Sequence, residues 1–265
     1  KKAISLAGRV VRMRKQGGLA FINIQDGTGS LQSMLKKDEI GKEQFKLFSD
    51  AVDVGDFVEL NGSLFTTKRK EKTLLVKKWK MLSKALRPLP DKHDGLQDTE
   101  ERFRKRYLDT IMSPDSKERF IIRSKIITEI RAFLNSNDFL EVETPILQQH
   151  AGGATALPFI THHNALDMDL YLRISPELFL KRLLIGGFPK VYEIGRNFRN
   201  EGIDTTHNPE FTMLEYYESY SDADKQMAFL EKMLNTITKN IFGKSSFIYD
   251  GNKISFGKKF NKISF

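Results

Sequence analysis

The chain has 265 residues, 40% hydrophobic and 29% charged, which is typical of a globular protein with room for two domains. It contains no cysteine, which excludes a disulfide framework and a thiolate metal site. The net charge of +9 favours polyanionic partners, without choosing between nucleic acid and a membrane surface. No apolar run approaches the ~20 residues of a membrane span, and the alternating start is unlike a signal peptide, so we expect a cytoplasmic protein.

The first 83 residues predict a small barrel. Alternating apolar residues bounded by turn residues predict five strands, over 4–13, 19–25, 30–35, 57–65 and 72–82. A short helix is predicted over 43–51, between the third and fourth strands. Three strands, a helix and two strands follow the order of an OB-fold, which binds oligonucleotides across its second and third strands. We therefore predict an all-β OB-fold barrel over residues 1–83.

The last hairpin of this region is strongly basic. Seven cations accompany the single acid Glu71 there: Lys68, Arg69, Lys70, Lys72, Lys77, Lys78 and Lys80. Such a surface neutralises phosphates with a salt-dependent affinity. Charge alone leaves a solubilising surface as an equal alternative. Phe21, in the middle of the second strand, favours the nucleic-acid interpretation because a base can stack on it, although a lone phenylalanine is usually a core residue.

A linker is predicted over 84–112, because Pro88 and Pro90 exclude a continuing helix. Ser113 as N-cap and Pro114 at the first helical position then begin a helix that ends at Asn137. Its apolar stripe indicates that one face is packed. A strand is predicted over 139–144, where a proline stops it.

The next segment contains a glycine-rich loop, a strand and a helix. Gly152 and Gly153, in the loop 150–156, permit a ligand to approach the backbone closely. A strand is predicted over 169–174, and a helix begins near Glu177 and ends at two glycines. His162 and His163 resemble a metal pair, but nothing at ligand spacing completes a site, so no metal site is predicted.

Residues 191–217 predict a hairpin, with two alternating strands around a polar loop over 200–209. It carries arginine, phenylalanine, histidine, glutamate and tyrosine side chains, which together can hold a polyphosphate, a planar base and an ammonium group. Charged residues on a hairpin are more often a solvated face, and spacing alone leaves that alternative open. A helix over 222–242, with Gly243 as its stop, and short strands or loops complete the chain.

The hairpin carries a long and specific resemblance. FRNEG (198–202) followed by THNPEFTMLE (206–215) resembles motif 2 of the class II aminoacyl-tRNA synthetases, in the version of the bacterial-type lysyl-tRNA synthetases. FLEVETPIL resembles motif 1, which builds the homodimer interface of that family, and KALRPLPDK and RYLD resemble its interdomain connection. The resemblance covers nearly the whole chain. It implies that 1–83 is an anticodon-binding OB domain, that 84–112 is a linker, and that 113–265 is the first part of a class II α+β domain with an antiparallel sheet flanked by helices.

The resemblance also implies roles for individual residues. The tRNA anticodon would contact Arg14, Phe21, Gln32 and Glu71. Arg199 would be the catalytic group that binds the α-phosphate and the substrate carboxylate. ATP would also contact Glu201, His207, Asn208 and Phe211. Lysine would lie against Gly153, Glu177, Arg199, Glu215 and Tyr217.

The implied activity is that of a lysine–tRNA ligase, which uses ATP and Mg²⁺ to join lysine to tRNA(Lys), acts as a homodimer and binds no membrane. Motif 3 of the family does not occur in these residues, and we expect the magnesium carboxylates to lie downstream of them. We therefore expect an incomplete fragment that forms no adenylate at a useful rate by itself. Two alternatives stay open: a tRNA-binding protein without ligase activity and, less favoured by HNPEFTMLE, an aspartate or asparagine–tRNA ligase.

Overall fold

A computed structural model describes residues 3–90 and 96–263, and the chain divides into two compact units, residues 1–117 and 118–265. Residues 91–95 of the predicted linker, like the two residues at each end of the chain, lie outside the described residues. Within the described ranges, no helix combines the length and the apolar character needed to cross a membrane.

The first unit begins with a closed five-stranded barrel. Its elements are β1 (Ala3–Gln16), β2 (Leu19–Gln25), β3 (Ser30–Lys36), α1 (Lys37–Ile40), α2 (Lys42–Ala51), β4 (Phe57–Thr66) and β5 (Lys72–Ser83). The strands follow one another in the order β1-β2-β3-β5-β4, and β4 pairs with β1 to close the barrel. The pair β3–β5 is parallel and the others are antiparallel. This topology confirms the predicted OB-fold, with α1 as a short helix that the sequence pattern did not predict.

Strand alternation separates the barrel interior from its outer face. Ala20, Ile22 and Ile24 of β2 are buried in the core, whereas the residues between them are only half-buried. Phe48 of α2 is fully buried against the same core, and its ring meets Trp79 edge-on with the centroids 5.1 Å apart. Burying such a side chain contributes roughly 1.5–3 kcal/mol, so α2 is a structural part of the barrel.

Two short helices follow the barrel, α3 (Thr99–Arg104) and α4 (Arg106–Met112). The sequence pattern predicted only a linker here, because this charged segment has no apolar stripe. A helix cap and ion pairs stabilise the two helices instead. The Asp98 side chain accepts from the backbone N–H of Glu100, and the buried Asp109 accepts from Arg102 Nε at 2.8 Å and from Arg106 Nη1 at 2.7 Å.

The second unit contains the remaining elements. They are α5 (Pro114–Asn135), which begins in the first unit, β6 (Leu140–Glu141), β7 (Leu147–Gln148), β8 (Ile160–His163), β9 (Met168–Leu172), α6 (Glu177–Ile185), β10 (Lys190–Phe198), β11 (Glu210–Glu218), α7 (Ala223–Phe242), β12 (Ser246–Tyr249) and β13 (Asn252–Ser255). They form the sheets β11-β10-β6, β7-β9-β8 and β12-β13. The pair β10–β11 is the predicted antiparallel hairpin, but β6 runs parallel to β10, so that sheet is mixed.

One face of the hairpin β10–β11 builds the core of this unit. Tyr192 is fully buried there, and Ile194, Leu214 and Tyr216 pack with it against α5 and α7. The buried residues that these two helices contribute are Phe133, Leu134, Met233 and Ile237. Because the core occupies one face only, the side chains that alternate with it along β10 and β11 point to the opposite face.

Candidate active site

The register of the hairpin determines which side chains share its second face. Residues directly opposite each other on antiparallel strands point to the same side. The opposed pairs on this face are Asn197 with Phe211, Gly195 with Met213, Glu193 with Glu215 and Val191 with Tyr217. The face therefore carries an aromatic ring at one end, a glycine in the middle and carboxylates with a tyrosine at the other end.

Arg199 lies at the aromatic end, directly after β10, where its backbone N–H donates to the Pro209 carbonyl at 2.8 Å. Its guanidinium carbon is 5.1 Å from the centroid of the Phe211 ring. Its Nε is buried and has no hydrogen-bond partner within the described part of the chain. A buried donor on a charged group costs free energy when it is unpaired, so this nitrogen indicates a place for an anionic ligand.

The loop between the strands is folded around Asp204. Its carboxylate accepts from the backbone N–H groups of Thr206 at 2.7 Å and His207 at 2.8 Å. Hydrogen bonds from Thr206 and then from His207 hold the pKa of Asp204 well below its usual range. His207 Nδ1 lies 2.8 Å from an Asp204 oxygen, and Asn208 is exposed beside it. Glu201 accepts from the backbone N–H of Leu157 at 3.4 Å.

The other end of the face gathers four of the five residues predicted to bind lysine, whereas the fifth, Arg199, lies at the aromatic end. Glu215 accepts from the Ser175 hydroxyl at 2.6 Å and from the Tyr217 hydroxyl at 3.0 Å. Ser175 in turn accepts from the backbone N–H of Glu177 at 3.1 Å. Gly153 has φ of 88°, and a Cβ there would stand 2.9 Å from both Glu177 Cβ and Ser175 Oγ. Only a glycine fits, so the loop 150–156 approaches the cluster closely.

The carboxylates of this cluster favour the binding of a cation. Burial, and then the charge and hydrogen bond of Glu215 and the charge of Glu177, raise the pKa of Tyr217 above its ordinary value, so that its hydroxyl stays protonated. Glu177 is paired with Lys181 one helical turn later, at 2.5 Å between Nζ and Oε1. The carboxylate of Glu215 has neutral hydroxyl partners only, and together with that of Glu177 it matches an ammonium group, because a buried cation must be paired.

The residues predicted to contact an anticodon lie on the first unit. Arg14 is directly opposite Phe21 on neighbouring strands, and the inward neighbours of Phe21 are buried, so its ring is on the outer face of the barrel. Gln32 of β3 donates to the Thr73 hydroxyl at 2.8 Å, and that hydroxyl donates to the Glu71 carbonyl at 3.3 Å. The four predicted positions therefore occur on adjoining strands or at the start of β5.

The basic hairpin β4–β5 retains most of its charge for a partner. Lys77 forms an ion pair with Glu39. The other six cations of the hairpin form no ion pair with any described residue: Lys68, Arg69, Lys70, Lys72, Lys78 and Lys80. Unpaired cations on one hairpin are what phosphate binding requires.

Sequence reasoning missed a buried polar network in the middle of the hairpin face. Arg173, only 1% exposed, donates through Nη1 to Glu193 Oε1 at 2.5 Å. Thr144 donates to the other oxygen of Glu193 at 2.6 Å. The available signal was a lone charge inside each of two otherwise apolar runs of sequence, LYLRI and VYEIG. Ser175, which Glu215 contacts, is predictable from sequence only as part of a helix cap.

Within the histidine pair, His162 contacts two nearby aspartates. His162 lies 3.0 Å from Asp169 Oδ1 through Nδ1 and 3.4 Å from Asp167 through Nε2. Over residues 3–90 and 96–263, no group of three or more histidine, cysteine, aspartate or glutamate side chains could hold a metal ion.

Comparison with known proteins identifies the families that the two parts of the chain resemble. The profile of the family described as tRNA synthetases class II (D, K and N) matches residues 98–265, and that of the OB-fold nucleic acid binding domain matches residues 4–82. The lysine–tRNA ligase of Aquifex aeolicus (strain VF5) is 50% identical over 264 residues, which cover 100% of this chain and 44% of the relative. Lysine–tRNA ligases of Pelotomaculum thermopropionicum and Enterococcus faecalis are each 50% identical, over 99% and 98% of this chain and 52% of each relative.

The chain thus spans about half the length of the curated relatives it matches. The class II profile nevertheless covers more than half of the chain, including the hairpin and both ends of its polar face. The chain belongs to the class II tRNA synthetase family of the D, K and N type.

Proposed function

We propose that the protein carrying this chain is a lysine–tRNA ligase, which activates lysine with ATP and transfers it to tRNA(Lys). The observation that carries the proposal is that the two ends of the hairpin face carry opposite charges. Arg199, with its unpartnered Nε, lies beside Phe211 at one end, and the carboxylates of Glu215 and Glu177 lie at the other. The names of the relatives support the choice of lysine.

In the first step, the lysine carboxylate attacks the α-phosphorus of ATP, pyrophosphate leaves, and lysyl-adenylate forms. Arg199 binds the α-phosphate and the carboxylate, so that its charge offsets the negative charge that develops between them. Phe211 stacks on the adenine and Glu201 accepts from the adenine amino group, while His207 and Asn208 contact the nucleotide. The protein contributes position and charge and needs no covalent nucleophile.

Lysine binds at the far end of the same strand. Glu215 is four residues beyond Phe211, a displacement of about 13 Å at ~3.3 Å per residue, which suits a nucleotide at one end and a long side chain at the other. Glu215 and Glu177 pair with the lysine ammonium, and the Tyr217 hydroxyl lies beside them. Gly153 lets the loop 150–156 approach Glu177 and Ser175 closely, and the substrate lies against the loop there.

Magnesium accompanies ATP in the function that the family resemblance implies. The described residues offer no cluster of three or more carboxylate or histidine side chains that would hold it.

In the second step, a hydroxyl oxygen at the 3′ end of tRNA(Lys) attacks the carbonyl carbon of lysyl-adenylate, so that an ester bond to the lysyl group forms and AMP leaves. The barrel recognises the anticodon: Phe21 stacks on a base, Gln32 reads a base edge, and Arg14 and Glu71 contact neighbouring groups. The protein works in the cytoplasm, where its tRNA is charged. It forms a homodimer through α5 and β6, which expose Ile121, Ile126 and Leu140 by 39%, 36% and 49%.

Pyrophosphate exchange tests the proposal. The full-length protein is supplied with ATP, labelled pyrophosphate and either lysine, aspartate or asparagine. We expect exchange with lysine alone. Exchange driven by aspartate or asparagine would assign the chain to another member of the family. Binding of the tRNA(Lys) anticodon stem-loop without exchange under any of the three conditions would instead identify a tRNA-binding protein without ligase activity.

A further inference from the structure

The buried ion pair between Arg173 and Glu193 has no role in the function proposed above, on which this inference rests. Arg173 is 1% exposed and Glu193 is 5% exposed. Ion pairs this deeply buried add little net stability compared with apolar residues, because both charges lose their hydration. Stability alone therefore does not explain why the Arg173–Glu193 pair lies beside the predicted substrate face.

Arg173 occupies a place that a strand would otherwise fill. β10 pairs with β11 along its whole length, but on its other edge β6 pairs only with Val191 and Tyr192. Further along that edge, Arg173 forms hydrogen bonds with backbone groups of β10 that a neighbouring strand would otherwise form. Its Nε donates to the Arg196 carbonyl at 2.8 Å, and its carbonyl accepts from the Phe198 N–H at 2.9 Å. These two bonds hold β10 immediately before Arg199.

The guanidinium is itself fixed from the other side. Nη1 donates to Glu193 at 2.5 Å, to the Thr144 hydroxyl at 3.1 Å and to the Thr144 carbonyl at 3.2 Å. A Cβ on Gly195 would overlap Nη2 of Arg173, so the guanidinium fills the space above this glycine. The position of Arg173 is consequently determined by Glu193, Thr144 and the absence of a side chain at Gly195.

We propose that Arg173 is a positioning residue for adenylate formation: by clamping β10 at Arg196 and Phe198, it sets the position of the Arg199 guanidinium relative to Phe211. A displaced Arg199 would still meet the triphosphate of bound ATP. It would no longer match the charge that develops at the α-phosphate as the bond forms. The role therefore concerns the rate of the chemical step and not the affinity for ATP.

Two substitutions test this role in the full-length protein. Arg173→Lys keeps the charge but loses the fork that reaches Glu193 and the Arg196 carbonyl together. Gly195→Ala keeps every charge and displaces the guanidinium. We expect both variants to lower kcat of lysine-dependent pyrophosphate exchange by roughly a hundredfold, the scale of a misplacement of ~1 Å. The KM for ATP should stay within about threefold, because ground-state binding is retained.

Arg182→Lys is the matched control. It makes the same change in the same unit, at an exposed arginine of α6 whose guanidinium carbon lies 4.8 Å from the centroid of the Phe179 ring. We expect its kcat to be unchanged. Circular dichroism at 25 °C checks that each variant is folded. Variants that are folded and keep kcat within threefold, that raise only the KM for ATP, or that do not fold at all would each overturn the positioning role. An unsubstituted protein with no exchange would overturn the proposed function and this inference together.

Discussion

In the proposed function, Glu215 is the residue on which we expect recognition of lysine to depend most. It accepts from two neutral hydroxyl groups, those of Ser175 and Tyr217, which leaves its charge for an incoming ammonium. Glu215→Gln would leave a desolvated ammonium half paired, which costs ~3–5 kcal/mol in comparable buried pairs. We therefore expect kcat/KM for lysine to fall by roughly a hundredfold or more in steady-state kinetics, with little change in ATP binding.

Glu218→Gln is the matched control for this prediction. Glu218 ends the same strand and pairs with Lys190 at 3.2 Å, on the face away from Glu215. We expect its kinetics to be nearly normal. A loss below fivefold for Glu215→Gln, or an equal loss of ATP affinity, would contradict the assignment of Glu215 to the lysine ammonium.

Phe21 offers a second test at the level of single residues. Its ring is half-buried on the outer face of the barrel, where a base can stack on it. We expect Phe21→Ala to weaken binding of the tRNA(Lys) anticodon stem-loop by ~1–3 kcal/mol, measured by titration calorimetry. Leu64→Ala removes another apolar side chain, 43% exposed on β4, and should leave binding unchanged. Unfolding of Phe21→Ala at 25 °C would instead identify Phe21 as a core residue.

Among the secondary-structure elements, the helices α3 and α4 depend on Asp109. Burial alone would raise the pKa of this carboxyl, but hydrogen bonds from Arg102, Ser116 and Arg106 outweigh burial and lower it. A carboxyl whose pKa is lower in the folded state contributes stability above its unfolded value of ~3.9, and that stability is lost as the pH falls through the folded pKa. We therefore expect the first unit to lose stability to urea as the pH is lowered below about 4.

Asp109→Asn should remove part of this dependence and lower the free energy of unfolding at pH 7 by ~1–3 kcal/mol, because two guanidinium groups lose a charged partner. Trp79 is the only tryptophan and packs on Phe48 in the barrel, so its fluorescence reports unfolding of this unit. Asp50→Asn, at an exposed position of α2, is the control. Equal pH profiles for Asp109→Asn and the unsubstituted protein would contradict the prediction.

Elements were predictable from sequence where one local pattern determined them. The barrel strands and the hairpin β10–β11 alternate apolar and polar residues, so their spans were correct within a few residues. The strand predicted over 139–144 shrinks to Leu140–Glu141, because Thr144 takes part in the network of Arg173 and Glu193 instead of a ladder. That network joins residues 20 to 49 positions apart, a separation that periodicity does not encode.

The same reasoning explains what was predictable in the candidate site. Resemblance in the hairpin identified Arg199, Phe211 and Glu215 as a set, and the register places Phe211 and Glu215 on one face. Ser175 and Arg173 were missed, because their importance arises from partners on other strands. The roles of Arg199, Phe211 and Glu215 as ligand contacts remain predictions, and the kinetic experiment on Glu215 tests one of them.

For the molecule as a whole, the net charge of +9 predicts a strong dependence of RNA binding on salt. Lys68, Arg69 and Lys70 occupy the turn between β4 and β5 and have no ion pair with any described residue. Replacing all three by glutamine should reduce the slope of log K against log salt by about 0.7 for each phosphate that the protein no longer neutralises, measured by fluorescence anisotropy with the anticodon stem-loop.

A second triple variant separates location from net charge. Lys253, Lys258 and Lys259 are exposed in the second unit, and their replacement by glutamine removes the same charge from another surface. We expect the slope of this variant to stay close to that of the unsubstituted protein. Equal reductions in both variants would contradict a specific role for the turn between β4 and β5.

The two faces of the hairpin β10–β11 also have a consequence for divergence within the family. Leu214 and Tyr216 pack against the helices, whereas Met213, Glu215 and Tyr217, between and beside them, point to the opposite side. A substitution at Met213, Glu215 or Tyr217 therefore leaves the contacts of Leu214 and Tyr216 with the helices unchanged. Natural selection can exchange the acids that recognise one amino acid without first rebuilding the fold, and a single architecture is able to give rise to enzymes of different specificity.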